Sequence, residues 1–298
     1  MAKLFSDSYT WTQRRKVVTK EQLHISGLET FGHDTHKDSK APLPDHFHDA
    51  VEIVYIVTGS QTYCMNGREY TVTGNQVFLT PAYQVHGTGG TMHGRYEHYW
   101  VRLEIPTQEG FLMLDGETGA MLQQRLMELP SPVISPVRNL KGLMDQCFDL
   151  LCREEPLLRA EGCALLVQFL CEILRTHDKG DGVSKEISSA LQYIHTHVEE
   201  VISLEELAAI SGLSLYRFKS RFRQEVQSTP REYINVKKIQ RAKELLTGTE
   251  IAVTEMAFML SFSSSSYFSA MFRKLVGCTP TAYRQRKTWN LVQHEPTK

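Results

Sequence analysis

The sequence lacks the features of a membrane or secreted protein. No stretch approaches the roughly 18 uninterrupted apolar residues that a membrane span requires, and the opening segment MAKLFSDSYTWTQRRKVV has no apolar core of signal-peptide length. Its six cysteines form no CxxC pair and no disulfide-like spacing, which is typical of thiols buried in a reducing compartment. We therefore expect a cytoplasmic protein.

The sequence also has little net charge, but its charge is unevenly distributed. Its 298 residues include 33 Lys and Arg against 34 Asp and Glu, which gives a formal net charge of -1. Residues 1–183 contain 17 basic and 23 acidic side chains, whereas residues 184–298 contain 16 basic and 11 acidic ones. An acidic first part joined to a basic second part is a recurrent pattern in nucleic-acid-binding proteins.

The chain is long enough for two globular domains, and its pattern changes after a short linker. Two glycines and mixed charges in RTHDKGDGVSKE, residues 175–186, interrupt the apolar periodicity. Residues 46–105 contain short alternating runs that predict strands, and the chain after the linker has helical periodicity. We therefore predict an α+β chain of two domains: a β-barrel domain at residues 1–180, an all-α domain at 184–288 and a tail at 289–298.

Two helices are predicted between the strands and the linker. In the first, apolar side chains recur with the spacing of one helix face: Leu140, Leu143, Met144, Cys147, Phe148 and Leu151. The second, CALLVQFLCEIL, is apolar almost all round, which indicates burial. We expect the stripe of residues 138–154 and the helix that follows it to pair two chains, so that the protein is a homodimer.

One segment of the all-α part occurs twice, fifty residues apart. The two copies share a pair of phenylalanines, a Thr-Pro pair and a tyrosine: Phe218, Phe222, Thr229, Pro230 and Tyr233 align with Phe268, Phe272, Thr279, Pro280 and Tyr283. A short helix at about 204–210, a turn at Ser211 and Gly212 and an N-capping Ser214 predict a helix-turn-helix in the first copy. In the second copy, Ser261 replaces Gly212 and the turn is one residue longer.

The second helix of each copy is predicted to face DNA, because such a helix fits the major groove and its outward side chains reach base edges. In the first copy the candidate DNA-binding residues are Tyr216, Arg217, Lys219, Ser220, Arg221 and Arg223. In the second copy they are Ser264, Ser265, Ser266, Ser269, Arg273 and Lys274. Because the second set is poor in bidentate donors, we expect the first helix to read bases and the second to add phosphate contacts and shape reading. The alternative is that these are solvated side chains on small bundle helices.

These features resemble the double helix-turn-helix domain of the AraC/XylS family of transcription regulators, and SYFSAMFRKLVGCTPTAYR is similar to that family's signature segment. The resemblance implies two recognition helices bridged by a long helix, here about Pro230 to Leu246. It also implies that they enter successive major grooves about 34 Å apart. The implied partners are double-stranded promoter DNA and RNA polymerase. The chain departs from the family pattern at Ser261, where glycine is usual, and at Ala270.

A second pattern lies in the predicted barrel. HFHDAVEIVYIVTG contains His46, His48 and Glu52, and His86 follows in PAYQVHG. This pattern resembles the two motifs of the cupin barrel, which many members of the family use as a sensor domain, although it departs from them at Lys40, Tyr83 and Gly90. Such residues can converge on a divalent metal inside a small barrel. Three interpretations stay open: a metal-free organic effector, structural histidines, or a metal site at His46, His48, Glu52 and His86.

The last predicted strand indicates what the barrel binds. In YEHYWVRLE, a period of two places His98, Trp100 and Arg102 on one face. An aromatic ring beside a guanidinium and imidazoles suits a sugar or related polyol, because ring carbons stack on Trp and hydroxyls bond to Arg and His. The candidate effector-binding residues are His46, His48, Glu52, Tyr63, His86, His98, Trp100 and Arg102. The alternative is that Trp100 packs the barrel and Arg102 is exposed.

The sequence therefore predicts an effector-responsive transcription factor and no enzyme, so no catalytic residue is assigned. The alternatives are a metal-responsive regulator and a cupin-type metalloenzyme, both using His46, His48, Glu52 and His86. The segment before the barrel, with Tyr9, Trp11 and QRRK, is interpreted as an arm. The sequence leaves open whether this arm closes over a ligand or contacts DNA.

Overall fold

The computed structural model divides the chain into two compact units. The first is Met1–Ser184 together with Gln224–Gln227, and the second is Lys185–Arg223 together with Ser228–Lys298. The structure describes residues 2–36, 41–91, 96–107, 109–129, 132–134, 139–179, 184–226, 228–276 and 278–285. The predicted tail therefore lies outside the described residues, as do Lys40 and four residues of the predicted linker. None of the described helices is long and apolar enough to span a membrane.

The first unit is a β-rich domain with helices packed against it. Its strands are β1 (Lys3–Leu4), β2 (Thr10–Trp11), β3 (Arg15–Thr19), β4 (Leu28–His36), β5 (His46–Phe47), β6 (Val51–Met65), β7 (Arg68–Thr73), β8 (Gln76–Thr80), β9 (His86–Gly87), β10 (Tyr96–Leu103) and β11 (Val133–Ile134). Its helices are α1 (Lys20–Leu23), a 3-10 turn at Phe111–Met113, α2 (Gly116–Met127), α3 (Lys141–Leu151) and α4 (Pro156–Lys179). The predicted β-rich N-terminal domain is confirmed.

The long strand β6 organises the sheet. Its first half pairs with β8 and β10, and its second half pairs with β7 and β9. The described strands form one sheet in the order β1-β5-β9-β6-β10-β4-β3-β2, with β7, β8 and β11 joined beside this path. A strand that changes partners along its length turns the sheet over itself, so both β5–β9 and β10 border the same interior.

The strands before residue 46 were not predicted. The segment interpreted as an arm contributes β2 and β3 to the sheet, and β4 pairs with β10 along eight residues of that strand. In the sequence of β4, LETFGHDTH, the apolar side chains Leu28 and Phe31 are three residues apart and most others are polar, so the segment lacks the alternation that signals a strand. Three of its polar side chains have partners on other strands: Thr30 accepts from Arg102, Asp34 pairs with Arg15 and His33 pairs with Glu97.

The apolar stripe of α3 is buried inside the first unit. Met144, Cys147, Phe148 and Leu151 are each at most 6% exposed and pack in one core with β6, β10 and α4. The stripe that we expected to pair two chains is therefore already used within one chain, and this part of the prediction is corrected. A homodimer formed through α3 and α4 would have to use their opposite faces, where Leu157 of α4 is 76% exposed.

The second unit contains α5 (Lys185–Thr196), α6 (Leu204–Ile210), α7 (Leu215–Val226), α8 (Pro230–Gly248), α9 (Val253–Met259) and α10 (Ser265–Val276). Helices α6 and α7 form one helix-turn-helix, and α9 and α10 form the other, so the predicted tandem arrangement is confirmed. The aromatic cores repeat. Ring centroids lie 5.5 Å apart for Phe218 and Phe222 and 5.9 Å apart for Phe268 and Phe272.

The turns and caps follow the predicted chemistry. Gly212 and Ser261 have φ values of 62° and 54°, so the serine adopts the left-handed conformation that glycine has in the first copy. Helix α8 begins with a capping box, in which the Thr229 hydroxyl accepts from the Glu232 N–H and the Glu232 carboxylate accepts from the Thr229 N–H. Both features depend on neighbouring residues. The turn at Gly212 was predicted from the sequence, whereas the capping box was not.

Candidate functional site

Three histidines and a glutamate converge in the first unit. His46 and His86 face each other across β5 and β9, and their ring centroids lie 4.3 Å apart. His48 follows two residues later, and one ligand atom from each of the three rings lies within 4.8 Å of the others. The Glu52 carboxylate lies 3.2 Å from Nε2 of His86 and 3.4 Å from Nε2 of His48. The predicted four-residue cluster is thus brought together.

The backbone orients the imidazoles so that their Nε2 atoms face the cluster. Nδ1 of His46 donates to the Pro44 carbonyl at 2.8 Å, and Nδ1 of His86 donates to the Gln84 carbonyl at 2.9 Å. A carbonyl only accepts, so in the neutral ring each Nε2 has no proton and can bind a metal. Nδ1 of His48 lies 2.7 Å from the Phe5 carbonyl and 2.8 Å from Nη1 of Arg102, so two partners compete for it.

The carboxylate of the cluster is ionised, which suits a cation. Burial alone would raise the pKa of Glu52, but hydrogen bonds from His48 and His86 outweigh it and hold this pKa well below its ordinary value. Burial likewise opposes protonation of His86, yet the neighbouring Glu52 raises its pKa, whereas burial lowers the pKa of His46. Nε2 of His48 is buried, and the Glu52 carboxylate lies 3.4 Å from it. This donor set fits Zn²⁺, Mn²⁺ or Fe²⁺.

A pocket of about 240 Å³ opens beside this cluster. Five of the eight candidate effector-binding residues line it: His46, Glu52, Tyr63, His98 and Trp100. His48, His86 and Arg102 are not part of its lining. Phe5, Asp7 and Arg15 of the N-terminal segment also line the pocket. The segment interpreted as an arm, which contains Arg15, therefore borders the pocket, whereas Phe5 and Asp7 were not among the predicted residues. Their contribution depends on how the N-terminal strands fold back, for which the sequence carries no local signal.

The predicted face of β10 is confirmed, and its aromatic rings form a ladder. The His98 ring stacks on Tyr96 at 4.6 Å and on Trp100 at 5.1 Å. The guanidinium of Arg15 lies 4.7 Å from the centre of the Trp100 ring, and the indole N–H donates to Asp7 at 3.1 Å. A sugar ring could stack on Trp100 only by displacing Arg15. Tyr63 and the edge of the His98 ring therefore remain as aromatic contacts for a ligand, since both residues line the pocket.

Arg102 has a different position from the two that the sequence suggested. It is 1% exposed, so it is not on the surface, and its guanidinium is directed to protein groups. It donates to the Phe5 carbonyl at 3.0 Å, the Thr30 hydroxyl at 2.9 Å and the Asp7 carboxylate at 3.2 Å. These bonds tie the N-terminal segment to the barrel. Arg102 therefore does not line the pocket but holds in place Phe5 and Asp7, which do.

The first recognition helix, α7, presents a basic surface. Tyr216 is 83% exposed, and Arg217, Lys219, Ser220 and Arg223 are exposed as predicted. Arg221 is half-buried, and its guanidinium lies 3.2 Å from the Glu186 carboxylate. Part of its charge is therefore paired within the protein and less available to DNA. The inward side chains Phe218 and Phe222 are fully buried. This division between faces is what the helical period predicted.

The second recognition helix, α10, presents a shorter and less basic surface. Ser266, Arg273 and Lys274 are exposed, whereas Ser264, Ser265 and Ser269 are half-buried. The Ser264 hydroxyl accepts from the Tyr267 N–H at 3.1 Å and so caps the helix. Tyr267 itself is 46% exposed and was missed by the sequence reasoning. The repeat could have identified it, because Tyr267 aligns with Arg217.

Comparison with known proteins accounts for both units. An AraC-like ligand binding domain matches residues 30–170, and a helix-turn-helix domain matches residues 207–286. The HTH-type transcriptional activator RhaS of Escherichia coli is 26% identical over 259 residues, which are 83% of this chain and 89% of that protein. RhaS of Salmonella schwarzengrund is 27% identical over the same shares.

Two solved structures are also similar to this chain. The DNA-binding domain of AdpA, crystallised with a target DNA, is 27% identical and covers 37% of this chain and 99% of its own, with a TM-score of 0.35. Apo ToxT from Vibrio cholerae is 13% identical, covers 92% of this chain and 98% of its own, and has a TM-score of 0.34. The matched helix-turn-helix domain is typical of transcription regulators, and RhaS is a transcription regulator and not an enzyme. With a ligand-binding domain and a tandem helix-turn-helix in one polypeptide, the chain belongs to the AraC family of DNA-binding transcription regulators.

Proposed function

We propose that the chain is a cytoplasmic one-component regulator whose first unit binds a small polyhydroxylated effector and whose second unit reads promoter DNA. The observation that carries the proposal is the pocket of about 240 Å³ lined by aromatic rings, imidazoles and two carboxylates. Aromatic faces stack on ring carbons, and the polar groups pair with hydroxyls. A volume of this size suits a sugar or related polyol, the class that the sequence suggested.

On DNA, α7 reads base edges and α10 supplies phosphate contacts. The exposed Arg217 and Lys219 can donate to guanine, which is the commonest specific contact in the major groove. Helix α10 offers Arg273 and Lys274 at its end, beside short serines. Since RhaS is named an activator, we propose that this chain also activates transcription, through contact with RNA polymerase. We further propose that it acts as a homodimer.

The division of labour between the helices predicts different effects of two arginine substitutions. A duplex selected from random DNA by the full chain serves as the probe. Arg217→Ala should lower the preference for that duplex over random duplex by about 1–3 kcal/mol, because it removes a base contact. Arg273→Ala should weaken binding to all duplexes alike and reduce the slope of log Kd against log salt by about 1.

Arg153→Ala serves as the control, because Arg153 is an exposed residue of the first unit that pairs with Asp149. Its Kd and salt slope should equal those of the wild type. Unchanged sequence preference in Arg217→Ala would contradict the assignment of base reading to α7.

A metal-responsive regulator is the second candidate, and the converging Nε2 atoms of the three histidines favour it. A bound divalent cation would supply a Lewis-acidic centre, held by His46, His48, His86 and Glu52. His46 and Glu52 line the pocket as well, so a ligand with oxygen donors could reach such a cation. The family assignment gives no support to a cupin-type metalloenzyme.

Two substitutions separate the sugar and metal proposals. The melting temperature of the full chain would be measured with sugars, sugar phosphates and divalent metals, after removal of bound metal by chelation. A ligand at about 100 times its Kd stabilises the folded unit by about 2.7 kcal/mol. A polyol shift that is lost in His98→Ala and kept in His48→Ala would support the effector proposal, because His98 lines the pocket and His48 does not.

The opposite pattern would favour the metal. A shift with metal alone, lost in His48→Ala and kept in His98→Ala, would make the chain metal-responsive. If no polyol and no metal changes the melting temperature, both proposals for the first unit are contradicted.

A further inference from the structure

The two helix-turn-helix units share the helix α8, and each has its own aromatic core along it. Near its start, Tyr233 packs against Phe222 in the core of the first helix-turn-helix, with ring centroids 5.7 Å apart. Farther along, apolar side chains of α8 join a core with Phe268 and Phe272: Ile239, Ala242, Leu245 and Leu246. The relative orientation of α7 and α10 therefore depends on how each helix-turn-helix is attached to α8.

Lys238 lies between these two attachments. It is 5% exposed, and its ammonium donates to the Glu200 carbonyl at 2.9 Å and to the Leu260 carbonyl at 2.6 Å. Glu200 lies in the segment that joins α5 to α6, just before the first helix-turn-helix, and Leu260 is the C-cap of α9, in the second. A cation at the carboxyl end of a helix is favoured by the helix dipole. One ammonium thus connects a backbone group of each half.

Ser261 makes a second connection at the same place. Its hydroxyl donates to the Glu199 carbonyl at 2.7 Å, one residue before the carbonyl that Lys238 contacts. A non-glycine residue in the left-handed conformation costs about 1–2 kcal/mol, and Gly212 at the equivalent turn avoids this cost. Glycine at position 261 would avoid it as well but could not make the hydrogen bond. The serine is therefore explained by the connection and not by the turn.

Keeping the ammonium of Lys238 in this place is itself unfavourable. Burial lowers its pKa to about 8, because water no longer solvates the charge. An apolar side chain of similar length would fill the same space without this cost. Unlike an apolar side chain, the ammonium makes two directional hydrogen bonds, which fix two backbone segments relative to α8.

We propose that Lys238 and Ser261 form a brace that sets the separation of the two recognition helices on DNA. The brace itself contacts no base, and it acts by positioning α7 and α10. This proposal rests on the two-groove binding described above. Each base pair adds about 3.4 Å along the duplex, so a fixed pair of helices accepts one spacing of its two contacted segments. Without the brace, the two halves rotate about α8 and accept more than one spacing.

The test uses the full chain and the duplex selected from random DNA by the wild type. Variants of this duplex carry one base pair inserted or deleted between the two contacted segments. The wild type should bind the altered duplexes about ten-fold or more weakly. Ser261→Gly, Lys238→Met and the double variant should reduce this ratio to about three-fold or less, since a freer pair of helices loses less binding energy on the altered duplex.

Lys237→Met is the matched control, because Lys237 is the adjacent lysine of α8 and its ammonium lies over the Tyr233 ring instead of bridging the halves. It should keep the wild-type ratio. Ser261→Gly is the variant that should remain folded, because relief of the strained left-handed conformation offsets the lost hydrogen bond. Its melting temperature should stay near that of the wild type.

Two outcomes would overturn the proposal, and they are distinguishable. If the brace variants bind every duplex more weakly but keep the wild-type ratio, the brace only stabilises the fold. If the wild type itself shows no preference among spacings, two-groove binding fails, and the brace proposal fails with it.

Discussion

Replacement of Phe218 by alanine is expected to abolish sequence-selective DNA binding. Phe218 is fully buried and packs with Phe222 against the start of α8, so it holds α7 in place. Removing a buried phenylalanine costs about 3–5 kcal/mol, which is a large part of the 5–15 kcal/mol that stabilises a typical domain. The measurement is the Kd for the selected duplex and for random duplex, with helix content followed by circular dichroism.

Phe268→Ala provides the matched comparison. Phe268 is equally buried, occupies the equivalent position of the repeat and packs on Phe272 at a similar distance. Its loss should destabilise α10 by a similar amount and weaken binding, but it should leave a preference for the selected duplex because α7 still reads bases. If Phe268→Ala removes that preference and Phe218→Ala keeps it, the roles of the two helices are reversed.

Gly32→Ala is expected to have the largest effect in the first unit. Gly32 pairs with Trp100 across β4 and β10, and a Cβ there would lie far inside van der Waals contact of the indole carbons. Overpacking of this kind costs about 1–3 kcal/mol. At about 2–4 °C per kcal/mol, the melting temperature of the full chain should fall by roughly 2–12 °C. The effector response should weaken too, because Trp100 lines the pocket.

The control for this substitution is Gly142→Ala. Gly142 lies in α3, where a Cβ would meet no atom within 4 Å, and alanine is the better helix former. The melting temperature should therefore be unchanged or slightly higher. An unchanged melting temperature in Gly32→Ala would show that the indole can move aside at no cost, and the ladder of rings on β10 would not be a fixed wall.

Features set by neighbouring residues could be read from the sequence. The helix-turn-helix repeat and the turn at Ser211 and Gly212 depend on residues within one or two helical turns. The alternation that places His98 and Trp100 on one face is likewise local. The four-residue cluster was found because two short motifs carry its members.

Features set by distant residues could not be read in this way. Trp100 and Arg102 contact Asp7, which lies more than ninety positions earlier in the chain. The polar strand β4 is stable because the barrel supplies partners for it; for example, Asp34 pairs with Arg15 at 3.0 Å. No pattern around these residues indicates such partners.

The sequence by itself determined the two-domain organisation and the faces of the recognition helices, because apolar periodicity is a local property, and its resemblance to a known signature segment indicated the family. Only the tertiary structure decided that Arg102 supports the pocket from behind, that the α3 stripe is consumed within one chain and that Lys238 joins the two helix-turn-helix units. The physical reason is that a buried charge or an apolar face is satisfied by whatever the fold brings against it. That partner is selected by the packing of elements that are far apart in the sequence.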